Sequence, residues 1–194
     1  MSFRIEEKIL INKYQLSEFK EYLASKGVEQ LYNTRKINNL YFDNTQFQMY
    51  HDSIEGCLPR KKIRLRNYTD QKSFLEIKIS STEGRFKTSN EISKEKTDLM
   101  KNAGFFDNDY GPCKAVLYVE YFRSYYKFND IRITIDKEIN YFSKDRKFLG
   151  FDRNQIIELK APIQKNLNDL LRDFPIPRSR FSKYTNGLEK LLEH

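Results

Sequence analysis

The chain has 194 residues, 39% hydrophobic and 32% charged, with 35 Lys+Arg against 27 Asp+Glu and a formal net charge of +8. That length suits one compact domain over 1–194 with a sizeable core, and no apolar run approaches the roughly 20 residues of a membrane-spanning helix. The positive excess points to an anionic partner without choosing among nucleic acid, a membrane surface and small polyanions.

Met1-Ser2-Phe3-Arg4 leads straight into a strand pattern over 3–12, so no signal peptide is expected. Leu16, Phe19 and Leu23 form one stripe of a helix over 16–26, stopped by Gly27. A strand over 35–43 and a short helix over 44–52 follow. Strands over 60–68, 73–80 and 86–93 come next, with Gly84 turning the last two. A helix over 97–103 ends on Gly104. Aromatic strands over 115–128 and 131–139 join through Asn129-Asp130, and a strand over 153–160 closes at Pro162. Asn166 caps a helix with Leu167, Leu170, Leu171 and Phe174 on its apolar side. Pro175 and Pro177 interrupt it, and a last helix covers 181–192. Roughly eight strands in antiparallel hairpins tend to close into a barrel, because closure removes exposed edges. Leu192-Glu193-His194 reads as the beginning of a tag and is assigned no function. Cys57 and Cys113 fit no metal or redox spacing, which suits a reduced, cytoplasmic compartment.

Residues two apart on a strand share a face. Arg4, Glu6 and Lys8 therefore face one way, as do Lys62, Arg64 and Arg66; Glu76 and Lys78; Arg132, Thr134 and Asp136; and Glu158 and Lys160. The opposite faces carry Phe3, Ile5 and Ile9; Ile63 and Leu65; Leu75 and Ile77; Ile131, Ile133 and Ile135; and Ile157 and Leu159. Alternation alone leaves open which face meets water. With Arg123 the charged faces hold nine cations against four acids. Five of the nine are arginines, whose fork suits phosphate oxygens.

In order along the chain, Arg4-Ile-Glu6-Glu-Lys8, Leu40-Tyr41-Phe42-Asp43, Lys62-Ile-Arg64-Leu-Arg66 and Phe74-Leu-Glu76-Ile-Lys78 are followed by Tyr121-Phe-Arg123, Arg132-Ile-Thr134-Ile-Asp136, Ile157-Glu158-Leu-Lys160 and Phe181-Ser182-Lys183-Tyr184. Together they resemble the catalytic domain of the vacuolar transporter chaperone (VTC) family, polyphosphate polymerases of the triphosphate tunnel metalloenzyme (CYTH-like) superfamily. The resemblance runs from residue 4 to residue 184. It implies an α+β fold: an eight-stranded antiparallel closed β-barrel with inward charges, helices packed outside, and a C-terminal helix near one tunnel end. It assigns Arg64, Arg66, Lys78, Arg123, Arg132 and Lys160 as the catalytic cations. Lys8, Lys62, Lys87, Ser182 and Lys183 would assist in substrate binding, and Glu158, with Glu6 second, would hold Mn²⁺ or Mg²⁺. Two departures stand out: Arg4 occupies the first acidic position of the superfamily's Glu-x-Glu-x-Lys, and Lys87-Thr88-Ser89 replaces the family's frequent Lys-x-Arg.

Phosphoryl transfer needs positioning and electrostatic stabilisation rather than a protein nucleophile. With only His51 and His194 present, an imidazole-built zinc site is not expected, whereas carboxylates select hard ions. Glu76 and Asp136 are open between pairing with neighbouring cations and binding metal. The expected ligands are ATP or another triphosphate and polyphosphate. The expected activity is polyphosphate synthesis, with triphosphate hydrolysis or a purely binding module as alternatives. No nucleic-acid recognition motif accompanies the 15 Phe and 13 Tyr, which are expected to pack the core. No membrane segment is expected on this chain, so any membrane partner would be a separate protein.

Overall fold

The computed structural model describes residues 4–68, 72–162, 164, 167, 171–172 and 177–193. The cap at Asn166 and its apolar partners Leu170 and Phe174 lie outside the described residues, as does Pro175. The elements in chain order are β1 (Arg4–Ile11), α1 (Lys13–Ser25), β2 (Glu29–Asp43), α2 (Gln48–Glu55), β3 (Arg60–Asn67), β4 (Ser73–Ser81), β5 (Gly84–Ile92), α3 (Lys94–Ala103), β6 (Phe105–Asp107), β7 (Gly111–Phe128), β8 (Ile131–Ser143), β9 (Phe148–Phe151), β10 (Gln155–Pro162) and α4 (Lys183–Leu192). The class is α+β. Hydrogen bonding orders eight strands as β1-β10-β8-β7-β2-β3-β4-β5, with β6 paired to β7 and β9 to β8. β1 is antiparallel to β10, β10 to β8, and β2, β3, β4 and β5 each to the next.

Local chemistry moves several expected boundaries. α1 starts at Lys13 rather than 16, because the Asn12 side chain accepts from Gln15 N–H while Gln15 bonds back to Asn12 N–H. That capping box satisfies two helix-end donors. α2 starts at Gln48 rather than 44, because Asn44 Oδ1 holds Gln46 and Gln48 N–H in a local turn. β2 begins six residues before its expected start, at Glu29, on a segment that is mostly exposed and lacks an apolar alternation to announce it. β6 and β9 have three and four residues, too short for periodicity to register.

Two compact units divide the chain: Met1–Lys36, Tyr121–Ile139 and Phe151–Phe181 form the first, and Ile37–Glu120, Asn140–Gly150 and Ser182–His194 the second. In the first, Ile9, Ile11, Ile133, Ile135, Ile157 and Leu159 of the sheet pack with Leu16, Phe19 and Leu23 of α1. Each such side chain contributes about 1.5–3 kcal/mol when fully buried. This settles the faces there: the apolar side lies under α1, so Glu6, Lys8, Arg132, Thr134, Asp136, Glu158 and Lys160 take the opposite side. In the second unit Phe42, Met49, Ile63, Leu65, Leu117, Tyr141, Tyr184 and Leu188 are buried, while Ile77 is half-buried. Gly187 brings α4 against the sheet so closely that a Cβ there would lie 2.5 Å from atoms of Leu117 and Tyr141.

Candidate anion and metal site

Antiparallel register assembles the charges of the first unit. Glu6 stands opposite Lys160 and Lys8 opposite Glu158 on β1 and β10. Glu158 stands opposite Thr134 and Lys160 opposite Arg132 on β10 and β8. Arg123 grips Asp136 with two bonds, Nε–Oδ1 at 2.5 Å and Nη2–Oδ2 at 2.6 Å. Its Nη2 also lies 3.7 Å from Glu158. The Lys160 ammonium sits 2.6 Å from Glu158 and 3.5 Å from Glu6. Lys8 is 3.8 Å from Glu6 and donates to the Phe181 carbonyl at 2.8 Å. Arg132 is exposed. Burial alone would raise the Glu158 carboxyl, but Arg123, Lys160 and Lys8 together hold it well below the usual carboxylate range. Asp136 thus meets the pairing reading of the sequence, locked to an arginine.

In the second unit, register aligns Lys62, Lys78 and Lys87 in a row across β3, β4 and β5. Like charges directly opposite one another are destabilising. The next row is Arg64, Glu76 and Ser89. Glu76, 2% exposed, serves three cations: Arg64 Nη2 at 2.6 Å, Lys87 Nζ at 2.6 Å and Arg66 Nη1 at 3.5 Å. Burial pushes its carboxyl up, yet the two arginines and the lysine depress it far below its ordinary value. Glu76, too, is therefore paired with cations. Lys62 donates to Ser182 Oγ at 2.9 Å, and that oxygen also caps α4 by accepting from Thr185 N–H at 3.3 Å. Lys183 follows, half-buried, in the first turn.

Sequence reasoning assigned no role to the residues that hold these groups. Asn39 Oδ1 accepts from Arg66 Nε at 3.0 Å, and Tyr41 OH accepts from Arg64 Nη1 at 2.8 Å. Tyr41 stacks on Tyr184 with centroids 5.1 Å apart, and Tyr184 OH donates to Asp43. Asp43 also accepts from Asn44, Met49 and Tyr50 N–H, which ties β2, α2 and α4 together. Asn39 and Tyr41 share a strand face by parity, two residues apart. That was the available signal.

Among the described residues no group of three or more His, Cys, Asp or Glu could hold a metal ion. Glu6 and Glu158 do converge on one ammonium group. Two carboxylates suit an ion such as Mg²⁺, which usually keeps waters and takes its remaining ligands from phosphates. The donor set therefore fits a hard ion that arrives with its substrate, and does not make a closed protein cage.

The antiparallel sheet with its helices and charged strand faces defines the class as α+β. The chain matches the VTC domain over residues 3–192, and it belongs to that family. Comparison with curated proteins gives no match. Solved structures share the fold. A putative adenylate cyclase from Bacillus halodurans is 16% identical, with a TM-score of 0.64 over 93% of this chain and 94% of its own. PH1819 from Pyrococcus horikoshii is 17% identical, with a TM-score of 0.63 over 97% and 99%. HpAC1 from Hippeastrum, a putative adenylyl cyclase described as having a dominant triphosphatase activity, is 16% identical, with a TM-score of 0.60 over 97% and 96%. No helix among the described residues is long and apolar enough to cross a membrane.

Proposed function

We propose that this chain binds a triphosphate or polyphosphate chain on its cationic strand faces and carries out metal-dependent phosphoryl transfer, synthesising polyphosphate from ATP. The cross-strand row Lys62, Lys78 and Lys87, beside Arg64 and Arg66, carries this reading. Three lysines in register concentrate positive charge on neighbouring strands, and a linear polyanion with a charge on every phosphate complements it. The proposal includes the closed eight-stranded barrel anticipated from the sequence, whose low-dielectric walls would strengthen each contact. It also includes a reducing, cytoplasmic setting.

In this reading Arg64 and Arg66, steadied by Tyr41, Asn39 and Glu76, present rigid guanidinium forks to phosphate oxygens. Arg123, Arg132, Lys160 and Lys8 do the same from β7, β8, β10 and β1. Ser182 and Lys183 add a hydroxyl and an ammonium where α4 begins. Glu158 and Glu6 would hold Mn²⁺ or Mg²⁺, and the ion, when bound, neutralises charge that develops on the transferring phosphoryl group. Substrate would take Lys160 and Arg123 from their carboxylates, leaving Glu158 and Glu6 to face the ion.

Hydrolysis is the second reading, favoured by the triphosphatase activity described for the Hippeastrum protein. One experiment separates the readings: protein, ATP and Mn²⁺ are incubated and the products are resolved on a gel stained for polyphosphate. Long chains identify a polymerase and phosphate alone a hydrolase. Retention of polyphosphate without turnover identifies a binding module and overturns the enzymatic proposal.

A further inference from the structure

Thr134 Oγ1 is a buried hydroxyl with no hydrogen-bond partner among the described residues. The residue is 3% exposed, at the middle of β8. Its neighbours Ile133 and Ile135 lie in the apolar core, so alternation puts Thr134 on the charged side, between Arg132 and Asp136. Register sets Glu158 directly opposite it, with Lys160 two pairs along, opposite Arg132. A threonine facing charged groups has every opportunity to bond, and a buried hydroxyl left without a partner is disfavoured. Valine has nearly the same shape and would fill this position without that cost.

Lys160 and Arg123 both reach to the carboxylate of Glu158, which faces Thr134 across the strands. A phosphate group competes with Glu158 for the same two cations. A phosphate that drew them off the carboxylate would come within reach of Thr134, opposite Glu158 in the register.

We propose that the Thr134 hydroxyl is a substrate-positioning contact, donating a hydrogen bond to a phosphate oxygen held by Lys160 and Arg123. The inference rests on the polyphosphate reading above and adds to it a neutral donor. Cations attract a phosphate from any direction, whereas a hydroxyl on a stiff β-branched side chain fixes one oxygen in one place.

The test compares wild type, Thr134→Val and Thr134→Ser by calorimetric titration with tripolyphosphate in chelator, alongside thermal melting without ligand. A lost hydrogen bond to a charged oxygen is expected to weaken tripolyphosphate binding by Thr134→Val about tenfold or more. Because the hydroxyl has no partner among the described residues, Thr134→Val should melt at or above wild type. Thr134→Ser, which keeps the hydroxyl, should bind within about threefold of wild type. Equal binding by wild type and Thr134→Val overturns this inference alone. So does a Thr134→Val protein that melts several degrees lower, since that reveals a structural partner for the hydroxyl. Failure of wild type to bind tripolyphosphate overturns the polyphosphate reading and this inference with it.

Discussion

Glu158 is held by Lys160 at 2.6 Å and approached by Arg123 at 3.7 Å, so in the proposed function its charge bears on both phosphate and metal. Glu158→Gln keeps the volume and removes the charge. Tripolyphosphate binding in chelator should persist or strengthen, because one competing anion is gone. Turnover of ATP with Mn²⁺ should fall by about two orders of magnitude or more if the ion carries a few kcal/mol of transition-state stabilisation. Turnover near wild type would place the metal elsewhere. Glu76 makes the opposite case, as a structural counter-charge. Glu76→Gln strands Arg64, Arg66 and Lys87 around a neutral amide, and breaking a buried ion pair costs about 3–5 kcal/mol. Chemical denaturation reads that loss, and tripolyphosphate should restore part of it. The pH dependence follows from the same carboxylates. Glu158 and Glu76 are both depressed in the folded state, so their contribution is complete above the usual carboxylate range and is lost as pH falls through and below about 4. Burial raises Asp43 instead, which works in the opposite direction and partly offsets the acid loss. Melting wild type and Glu76→Gln between neutral pH and about pH 3 should show the smaller acid-dependent loss in the variant.

At the scale of the element, α4 decides whether Ser182 and Lys183 can serve the second unit's cations. Ser182 caps it, Tyr184 anchors it to Asp43, and Gly187 lets it approach the sheet. Gly187→Ala gains about 1 kcal/mol of helix propensity. It also drives a methyl group to 2.5 Å from Leu117 and from the Tyr141 ring, and such overpacking costs about 1–3 kcal/mol. Both contacts must yield at once, so packing should outweigh propensity, with a net loss of about 1–2 kcal/mol. Denaturant midpoints test this, and a stabilised Gly187→Ala would show that the helix shifts at little cost. Tyr184→Phe leaves buried Asp43 short of one donor and should cost about 1–3 kcal/mol by the same measurement.

For the molecule as a whole, the proposed function makes the ligand a stabiliser. Tripolyphosphate at a hundred times its dissociation constant should add about 2.7 kcal/mol to the folded state. In a chain of this length that corresponds to a Tm rise of about 5–10 °C. Chloride at equal ionic strength screens the same repulsion only weakly and should move Tm far less. Equal shifts from the two salts would rule out a specific polyanion site.

Much of this was legible in the sequence, because alternation is a local property. The motif Arg132-Ile-Thr134-Ile-Asp136 sorts its own faces, and the order of such motifs was enough to identify the family. Boundaries were less legible. Asn12 with Gln15 and Asn44 with Gln46 and Gln48 set helix starts through side-chain bonds, which periodicity does not register. Which face is buried, which carboxylate goes to which cation, and which hydroxyl is left over are not local. They depend on register between strands far apart in the chain, such as the pairing of Lys8 with Glu158 and of Glu158 with Thr134. By itself the sequence determined the strand faces, the cationic excess and the family. Only the tertiary structure decided that Glu76 and Asp136 are taken up by arginines, that Glu6 and Glu158 share Lys160, and that Thr134 is left without a partner among the described residues. A charge's partner is set by distances of a few ångströms, and those exist only once the strands have paired.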